Sequence, residues 1–286
     1  MPKSIPEDKL ITLFTLNCRS VKNKTLAIVD FIQSHNADLL AITETWLGSE
    51  IDKSVISDIT PQGYGIHHVS RHGKKGGGVA LVYNSNLEVK SIRNEDKWSN
   101  FELLECSVTH RNVEFTIVVL YRPSPSKNNN FFEEFSSFVP KAADSPHELI
   151  ITGDFNFHLD DPNDSNSRTF LEILDEHSLS QHVVGATHVR GHTLDVVIAR
   201  ESSQLLHDRP FIFDPILCND KGDLVRDHMA IRSNVRILKL PRQRKTVTCR
   251  KYHDIQICEF SNDLENLSVL QNPVGTTDDL VRNIQF

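Results

Sequence analysis

The sequence lacks both a long hydrophobic run and a cysteine pattern. None of its apolar runs approaches the roughly 18 residues that cross a bilayer, and the start, MPKSIPEDKLITLFTLN, is not typical of a cleaved signal peptide. The five cysteines are widely spaced and include no CxxC pair, which argues against a disulfide framework and against a zinc cluster. We therefore expect an intracellular protein that is neither secreted nor embedded in a membrane.

The sequence also lacks the excess of basic residues that nucleic-acid-binding proteins usually have. It contains 31 Lys and Arg against 38 Asp and Glu, a formal net charge of −7, which argues weakly against a nucleic-acid partner. The basic residues are nevertheless clustered. Arg71, Lys74 and Lys75 are in a glycine-rich loop, and seven more lie between residues 236 and 251 with no acidic residue among them. Local basic patches on an acidic protein are compatible with an enzyme whose carboxylates surround a cation.

Alternating hydrophobic segments predict an α/β fold. With 286 residues, of which 38% are hydrophobic, the chain has room for one large domain and a tail. The predicted strands cover residues 10–16, 39–43, 79–83, 87–92, 101–108, 113–120, 149–151, 192–199 and 229–235. The predicted helices cover residues 25–35, 131–139 and 167–177, with Ser167 as the N-cap of the last.

The pattern weakens from Leu238 onward, where Pro241 and the basic run mark a boundary. We therefore predict a domain over residues 1–237, followed by a basic linker and a polar, partly helical tail over residues 238–286. About ten strands are too many to close economically as one sheet. Two sheets packed face to face are expected instead.

Polar residues follow several of the predicted strands. Asn17, Glu44, Tyr121 and Asp154 each stand at or just after the last residue of a strand, and Asn156 follows two residues later. Each of them alone has an ordinary structural explanation, such as a turn residue or a half-buried aromatic side chain. Strand ends on one rim of a sandwich can converge, so together these residues would supply oxygen ligands for a divalent cation and a carboxylate to orient water.

The segment Gly153-Asp154-Phe155-Asn156 has two possible interpretations when it is taken alone. Glycine, aspartate and asparagine are common in turns, so the segment is as typical of a strand-to-loop turn as of an active site. The other rim positions favour the active site. The pair Asp227-His228, just before the last predicted strand, would add a histidine with a carboxylate partner.

In order and spacing, these residues resemble the endonuclease/exonuclease/phosphatase superfamily and, more narrowly, the endonuclease domain of LINE-type non-LTR retrotransposons. The residues that carry the resemblance are Asn17, Glu44-Thr45-Trp46, Tyr121-Arg122-Pro123, Gly153-Asp154-Phe155-Asn156, Thr187-His188, Leu194-Asp195 and Asp227-His228. The resemblance covers about residues 10–237. It implies a four-layered α/β sandwich, with two mainly antiparallel sheets flanked by helices, and Mg²⁺-dependent hydrolysis of a phosphodiester bond, with Mn²⁺ as an alternative ion.

The resemblance also implies a role for each residue. Glu44 is similar to the principal Mg²⁺ ligand, and Asp154 is similar to the carboxylate that orients and deprotonates the attacking water. His228, oriented by Asp195, would donate to a phosphate oxygen. The remaining implied roles belong to Asn17 and Asp227 at the metal, Asn17 and Asn156 as amide donors around Asp154, and Tyr121 and Thr187 as hydroxyl donors to the scissile phosphate.

Two arginines depart from the pattern of the superfamily. Arg19 stands where abasic-site repair enzymes usually have an acidic residue, which favours the retrotransposon branch. Arg226 stands where relatives commonly have a small hydroxyl residue, and it would either contact DNA phosphate or displace the neighbouring Asp-His pair. Lys74 and Lys75 are also expected to contact the substrate.

The sequence leaves three functions open. The first is a DNA endonuclease that nicks one strand and leaves a 3′-hydroxyl, with DNA as its partner, no obligate protein partner, and the nucleus as its location if it acts on genomic DNA. The second is a phosphodiesterase or phosphatase for a small or lipid substrate, which the absence of an amphipathic membrane-binding helix disfavours. The third is a catalytically impaired DNA-binding remnant. Because no reverse-transcriptase pattern follows, we expect a detached copy of a longer protein.

Overall fold

Two six-stranded sheets form the centre of the first part of the chain. The computed structural model describes residues 10–48, 52–71, 75–92, 98–124, 130–225, 227–236, 256–267 and 271. The strands are β1 (Leu10–Asn17), β2 (Leu39–Thr43), β3 (Tyr64–Val69), β4 (Val79–Asn84), β5 (Glu88–Ile92), β6 (Glu102–His110), β7 (Val113–Tyr121), β8 (Glu148–Asp154), β9 (Leu179–Gln181), β10 (Asp195–Arg200), β11 (Phe211–Phe213) and β12 (Ala230–Arg236). The helices are α1 (Thr25–Ser34), α2 (Lys53–Asp58), α3 (Phe131–Ala143), α4 (Ser165–Glu176) and α5 (Ile257–Glu265). In these parts of the chain no helix is long and apolar enough to span a bilayer.

Each sheet contains one parallel pair of strands. The strand orders are β11-β12-β1-β2-β4-β3 and β5-β6-β7-β8-β10-β9. β1 runs parallel to β2, and β7 runs parallel to β8, whereas the other pairings are antiparallel. Parallel neighbours need a crossover connection, which α1 supplies in the first sheet and α3 in the second. The predicted pair of mainly antiparallel sheets is confirmed.

Three apolar clusters hold the sheets and helices in four layers. The cluster between the sheets includes Leu13 of β1 and Ile150 of β8. On the outer face of the first sheet, α1 packs against Phe14, the residue next to Leu13, because successive side chains of a strand point to opposite faces. Phe135 of α3 and Phe170 of α4 belong to the cluster on the outer face of the second sheet. The predicted four-layered α/β sandwich is therefore confirmed.

The structure differs from the sequence-based prediction in several places, and α2, β9 and β11 were not predicted at all. Strand β3 lies between the predicted strands 39–43 and 79–83, where the sequence predicted no strand. Helix α4 begins at Ser165 and is capped by Asp164, whose carboxylate accepts the backbone N–H of Ser167 at 3.2 Å, so the predicted N-cap lies inside the first turn. Strand β10 begins at Asp195 rather than at His192, which places the aspartate at the start of the strand and not in its middle.

The chain divides into two contact units, Met1–Lys239 and Leu240–Phe286. The second unit contains α5, on which Ile257, Phe260 and Leu264 are exposed. The predicted boundary after residue 237 and the basic run that follows it fall within residues 237–255, outside the described residues. The division into a domain and a basic linker therefore stays a prediction.

Glycine is required at Gly153, where β8 passes β7. A Cβ atom there would collide with the carbonyl oxygen of Leu120 on the neighbouring parallel strand, and the residue has a φ of +137°. Only glycine has no Cβ atom and adopts such an angle without strain. The close approach of the two strands places the next residue, Asp154, beside the end of β7.

We expect Gly153→Ala to lower the free energy of unfolding by about 3 kcal/mol or more. Neither the alanine Cβ nor the Leu120 carbonyl oxygen that it would meet can move aside by a rotamer change. Gly222→Ala is the matched control, since Gly222 has a φ of +85° but nothing within 4 Å of its Cβ position. Backbone strain alone should lower the stability of this variant by about 1 kcal/mol. The free energies of unfolding are measured by urea denaturation. If both variants lose the same amount, the close approach of the two strands is not the cause.

Candidate active site

The ends of four strands meet at one edge of the sandwich. Asn17, Tyr121 and Asp154 are the last residues of β1, β7 and β8, and Glu44 directly follows β2. The side-chain nitrogen of Asn17 donates to Glu44 Oε1 at 3.1 Å and to Asp154 Oδ2 at 2.8 Å. One amide of the first sheet thus joins a carboxylate of its own sheet to a carboxylate of the second.

A second polar contact between the sheets lies deeper along the same two strands. Thr15 and Thr152 come two residues before Asn17 and Asp154, so each points to the same face as its successor. The two threonine hydroxyl oxygens are 2.6 Å apart, and Thr152 donates its hydrogen to the carbonyl of Val196 at 2.8 Å. Thr15 is therefore the donor to Thr152. Two hydrogen bonds therefore hold β1 against β8, one between Thr15 and Thr152 and one between Asn17 and Asp154.

The orientation of Asn17 makes it a donor to both carboxylates. Its side-chain oxygen accepts the backbone N–H of Arg19 at 2.9 Å, which turns its nitrogen toward Glu44 and Asp154. The sequence predicted Asn17 at the metal as well as among the amide donors. In this structure its oxygen points to the backbone at Arg19, so its position suits the holding of the carboxylates better than ligation.

Tyr121 is buried at the end of β7, with its hydroxyl hydrogen-bonded to Glu44. Burial raises the pKa of Tyr121 well above its usual value, and the negative charges of Glu44 and Asp154 raise it further. The guanidinium of Arg71 lies 5.4 Å from the centre of the tyrosine ring. Tyr121 is therefore a neutral hydroxyl donor at physiological pH.

Asp154 is fully buried at the end of β8. Burial and the nearby charge of Asp195 raise the pKa of its carboxyl group, whereas His228 and the donors Asn17 and Asn156 act in the opposite direction. Asn156 donates to this carboxylate twice, from its backbone nitrogen at 2.9 Å and from its side-chain nitrogen at 3.2 Å. A φ of +52° at Asn156 bends the chain back for both contacts.

Arg122 stabilises the turn formed by Phe155 and Asn156. The sequence predicted no separate role for it. Its guanidinium donates to the carbonyl oxygens of Phe155 at 3.0 Å and Asn156 at 3.2 Å, and it lies 4.1 Å from the ring centre of Phe157. Its own carbonyl accepts the side-chain nitrogen of Asn156 at 2.8 Å. The only signal in the sequence was its place directly after Tyr121.

His228 and Asp195 form a buried pair beside Asp154. His228 Nδ1 lies 2.9 Å from Asp195 Oδ2. Burial lowers the pKa of His228, but the carboxylates of Asp195, Asp154 and Asp227 outweigh it and raise the pKa to about 9. Because Nδ1 is held by Asp195, the ring nitrogen that remains for a substrate is Nε2.

Thr187 lies behind this pair. It is fully buried, and its hydroxyl oxygen accepts the backbone N–H groups of Leu194 at 2.9 Å and Asp195 at 3.0 Å. The sequence predicted a direct contact of this hydroxyl with the substrate. The structure places it instead under the start of β10, where it holds Asp195 in position.

The other predicted residues are placed as follows. Asp227 pairs with Arg19 at 2.8 Å on the exposed rim. Lys75 is exposed in the glycine-rich loop. Lys74 and Arg226 lie outside the described residues, so their contacts with substrate stay predictions.

Two groups of ligand atoms could hold a cation. Asp154, Asp195 and His228 each offer an atom within 4.8 Å of the others, and Asp195 Oδ1 is buried without a hydrogen-bond partner in the described parts of the chain. The second group centres on Glu44, which is less buried than these three residues. Mg²⁺ prefers oxygen ligands and keeps several waters. Glu44 therefore suits Mg²⁺ better than the enclosed group, because His228 Nδ1 and Asp195 Oδ2 are already bonded to each other.

We expect Asp195→Asn to lower the pKa of His228 from about 9 toward or below its ordinary 6.5. Burial lowers this pKa, and the variant removes one of the negative charges that raise it. NMR titration of the imidazole measures this shift, and Asp208→Asn, which changes an exposed aspartate bonded to Asn234, is the control. The folded pKa is the higher one, so the pair stabilises the fold fully below pH 6.5 and loses this effect as the pH rises through about 9. An unchanged titration would exclude Asp195 as the cause.

Comparison with solved structures finds this fold in several nucleases. The endonuclease domain of TRAS1, a telomere-specific non-LTR retrotransposon, is 18% identical with a TM-score of 0.62, covering 80% of this chain and 100% of that domain. The AP endonuclease LMAP from Leishmania major is 14% identical with a TM-score of 0.63, covering 81% and 89%. An AP endonuclease from Archaeoglobus fulgidus is 14% identical with a TM-score of 0.60, covering 78% and 98%. At these identities the likeness shows a shared fold.

Comparison of the sequence with protein families gives a more specific result. No curated protein matches the chain. The sequence pattern described as the Endonuclease/Exonuclease/phosphatase family matches residues 14–214, which include the second half of β1 and the whole of β2 through β11. Asp227 and His228 lie after the matched residues. The match covers well over half of the chain, so the chain belongs to the endonuclease/exonuclease/phosphatase family.

Proposed function

We propose that this protein is a Mg²⁺-dependent DNA endonuclease of the non-LTR retrotransposon type, which nicks one strand and leaves a 3′-hydroxyl. Members of its family hydrolyse phosphodiester bonds. The observation that carries the proposal is the bridge through which Asn17 holds Glu44 beside Asp154, next to the pair of His228 and Asp195. These are the groups that hydrolysis with a cation, a base and a hydrogen-bond donor requires.

Glu44 is the proposed principal ligand of the cation, with Asp227 at the edge of the site. Within the described residues, the hydrogen bonds to Glu44 and Asp154 come from uncharged groups, those of Asn17, Trp46, Tyr121 and Asn156. Their negative charge therefore fits a divalent cation. Bound Mg²⁺ would neutralise charge that develops on the phosphorane and on the leaving oxygen.

Asp154 would orient the attacking water and accept its proton. Burial raises its pKa, which makes the carboxylate a stronger base than an exposed aspartate. Asn17 and Asn156 hold the carboxylate in one orientation from two sides. The water oxygen then bonds to phosphorus while the bond from phosphorus to O3′ breaks and O3′ takes up a proton from solvent, which leaves a 3′-hydroxyl and a 5′-phosphate.

His228 would donate from Nε2 to a phosphate oxygen. A pKa of about 9 keeps its imidazole protonated at neutral pH, and Asp195 fixes the ring through Nδ1. The Tyr121 hydroxyl, which donates to Glu44 in this structure, would turn its hydrogen to the phosphate as a second, neutral donor. Both groups face charge that increases in the transition state, where hydrogen bonds from a fixed and buried site act most strongly.

DNA is the proposed substrate because the solved structures of similar fold include a retrotransposon endonuclease domain and two AP endonucleases. Exposed Arg19 and Lys75 lie near the rim of the site, and Lys74 and Arg226 are proposed as further phosphate contacts. The domain over residues 1–237 would carry the activity. Action on genomic DNA would place the protein in the nucleus.

We expect the protein to nick supercoiled plasmid with Mg²⁺ and to lose this activity in EDTA. Asp154→Ala and His228→Ala should each lower the rate by about a hundredfold or more, because each removes a proton-transfer or donor group. Asp208→Ala, which removes an exposed carboxylate, is the matched control and should keep the wild-type rate. Nicking that survives both site substitutions would rule out the assignment.

The same preparation tests the two alternatives. Release of a phosphorylated headgroup without plasmid nicking would indicate a phosphodiesterase for a small or lipid substrate. Salt-sensitive DNA binding without nicking would indicate a catalytically impaired remnant. In that case restored nicking in Arg226→Ser would assign the defect to the residue that precedes the Asp-His pair.

A further inference from the structure

Trp46 is an exposed aromatic side chain at the candidate metal ligand, and none of the steps above uses it. Its indole nitrogen donates to Glu44 Oε2 at 3.3 Å, while 41% of the residue remains exposed. Large aromatic side chains are usually much more buried. This one lies at the rim where the scissile phosphate would bind.

The backbone around Trp46 is held in a fixed and unusual conformation. Glu44 and Trp46 have φ angles of +52° and +56°, which residues other than glycine rarely adopt. The backbone nitrogen of Thr45 donates to Gly78 O at 3.1 Å, and that of Trp46 donates to Gly77 O at 2.7 Å. Strained residues of this kind cluster at ligand sites. The ring is therefore presented by a segment that the glycine-rich loop holds in place.

Gly76 of this loop lies close to the nitrogen side of the indole. A Cβ atom at Gly76 would lie 3.4 Å from the indole nitrogen, so glycine allows the loop to pass close to the ring. In the described residues no other aromatic ring packs against Trp46. Trp98, the second of the two tryptophans, differs because it stacks on Phe101 with ring centres 5.1 Å apart.

We propose that the indole of Trp46 stacks on an unpaired nucleobase next to the phosphate that is cut. This inference rests on the proposed endonuclease function and extends it to the form of DNA that is bound. Base stacking on an aromatic ring stabilises binding without selecting a sequence. Because Trp46 touches Glu44, the base must belong to a nucleotide beside the scissile phosphate, and a paired base offers only its edges. A base displaced from the helix offers a free face.

Tryptophan fluorescence tests the contact directly. Trp98→Phe leaves Trp46 as the only tryptophan, and it removes an indole nitrogen that has no acceptor in the described part of the chain. In EDTA, a duplex with one unpaired base should quench Trp46 fluorescence. The same duplex with an abasic analogue at that position should not. Equal quenching by both would overturn base stacking and would indicate a contact with the sugar.

Substitutions of Trp46 separate stacking from the positioning of Glu44. Trp46→Ala should weaken binding of the unpaired-base duplex about tenfold, as measured by fluorescence anisotropy in EDTA, and should leave binding of the abasic duplex unchanged. Trp46→Phe keeps an aromatic face but loses the hydrogen bond to Glu44. It should retain the affinity and lower only the nicking rate with Mg²⁺. If both variants bind the unpaired-base duplex as tightly as the wild-type protein, the proposal is overturned.

Failure of this inference can be distinguished from failure of the proposed function. Plasmid nicking without quenching by the unpaired-base duplex would retain the endonuclease and reject stacking. Quenching that requires the base, in a protein that does not nick, would retain stacking and reject the nuclease. A wild-type protein that binds neither duplex in EDTA would reject stacking.

Discussion

The hydrogen bond from Asn17 to Asp154 is the contact on which the arrangement of the site depends. It joins residues 137 positions apart and links the central strands of two different sheets. The parallel pairs bring their strand ends to one edge, and among the described residues Asn17 is the side chain that hydrogen-bonds to both Glu44 and Asp154. A carboxylate at this position would add a third negative charge, and a lysine would neutralise one of the other two. An amide donates twice and changes no charge.

The fold was predictable wherever both faces of a strand are covered. β2 and β8 are buried throughout or nearly so, and for this reason they read as short apolar runs ending in a polar residue. β3 has no such signal, because it is an edge strand whose residues are all half-buried, with Gly65 passing close to the Tyr83 ring. The start of α4 was ambiguous for a different reason. Several residues before it can cap a helix, and the choice of Asp164 depends on local geometry.

Much of the site was predictable as a set of residues, but their orientations were not. The strand ends converge as the pattern indicated, and His228 pairs with Asp195, as the resemblance implied. The direction of the Asn17 amide, the burial of Thr187 and the pairing of Arg19 with Asp227 depend on contacts between distant segments. In the last case 208 positions separate the partners. A sequence shows which groups are present, whereas only the packed sheets determine which atom of each group faces the opening.

The pairing of charges shows where the protein leaves negative charge uncompensated. Three carboxylates near the strand ends have basic partners, in the pairs Asp227 with Arg19, Asp195 with His228 and Glu102 with Arg71. Glu44 and Asp154 accept hydrogen bonds from neutral groups in the described structure. A buried carboxylate whose hydrogen bonds come only from neutral groups is costly even with His228 nearby, which favours either a bound proton or a bound cation. The raised pKa of Asp154 means that its carboxylate binds a proton more readily than an exposed aspartate does. Because the two compete for the same charge, the affinity for a divalent cation should increase as the pH rises.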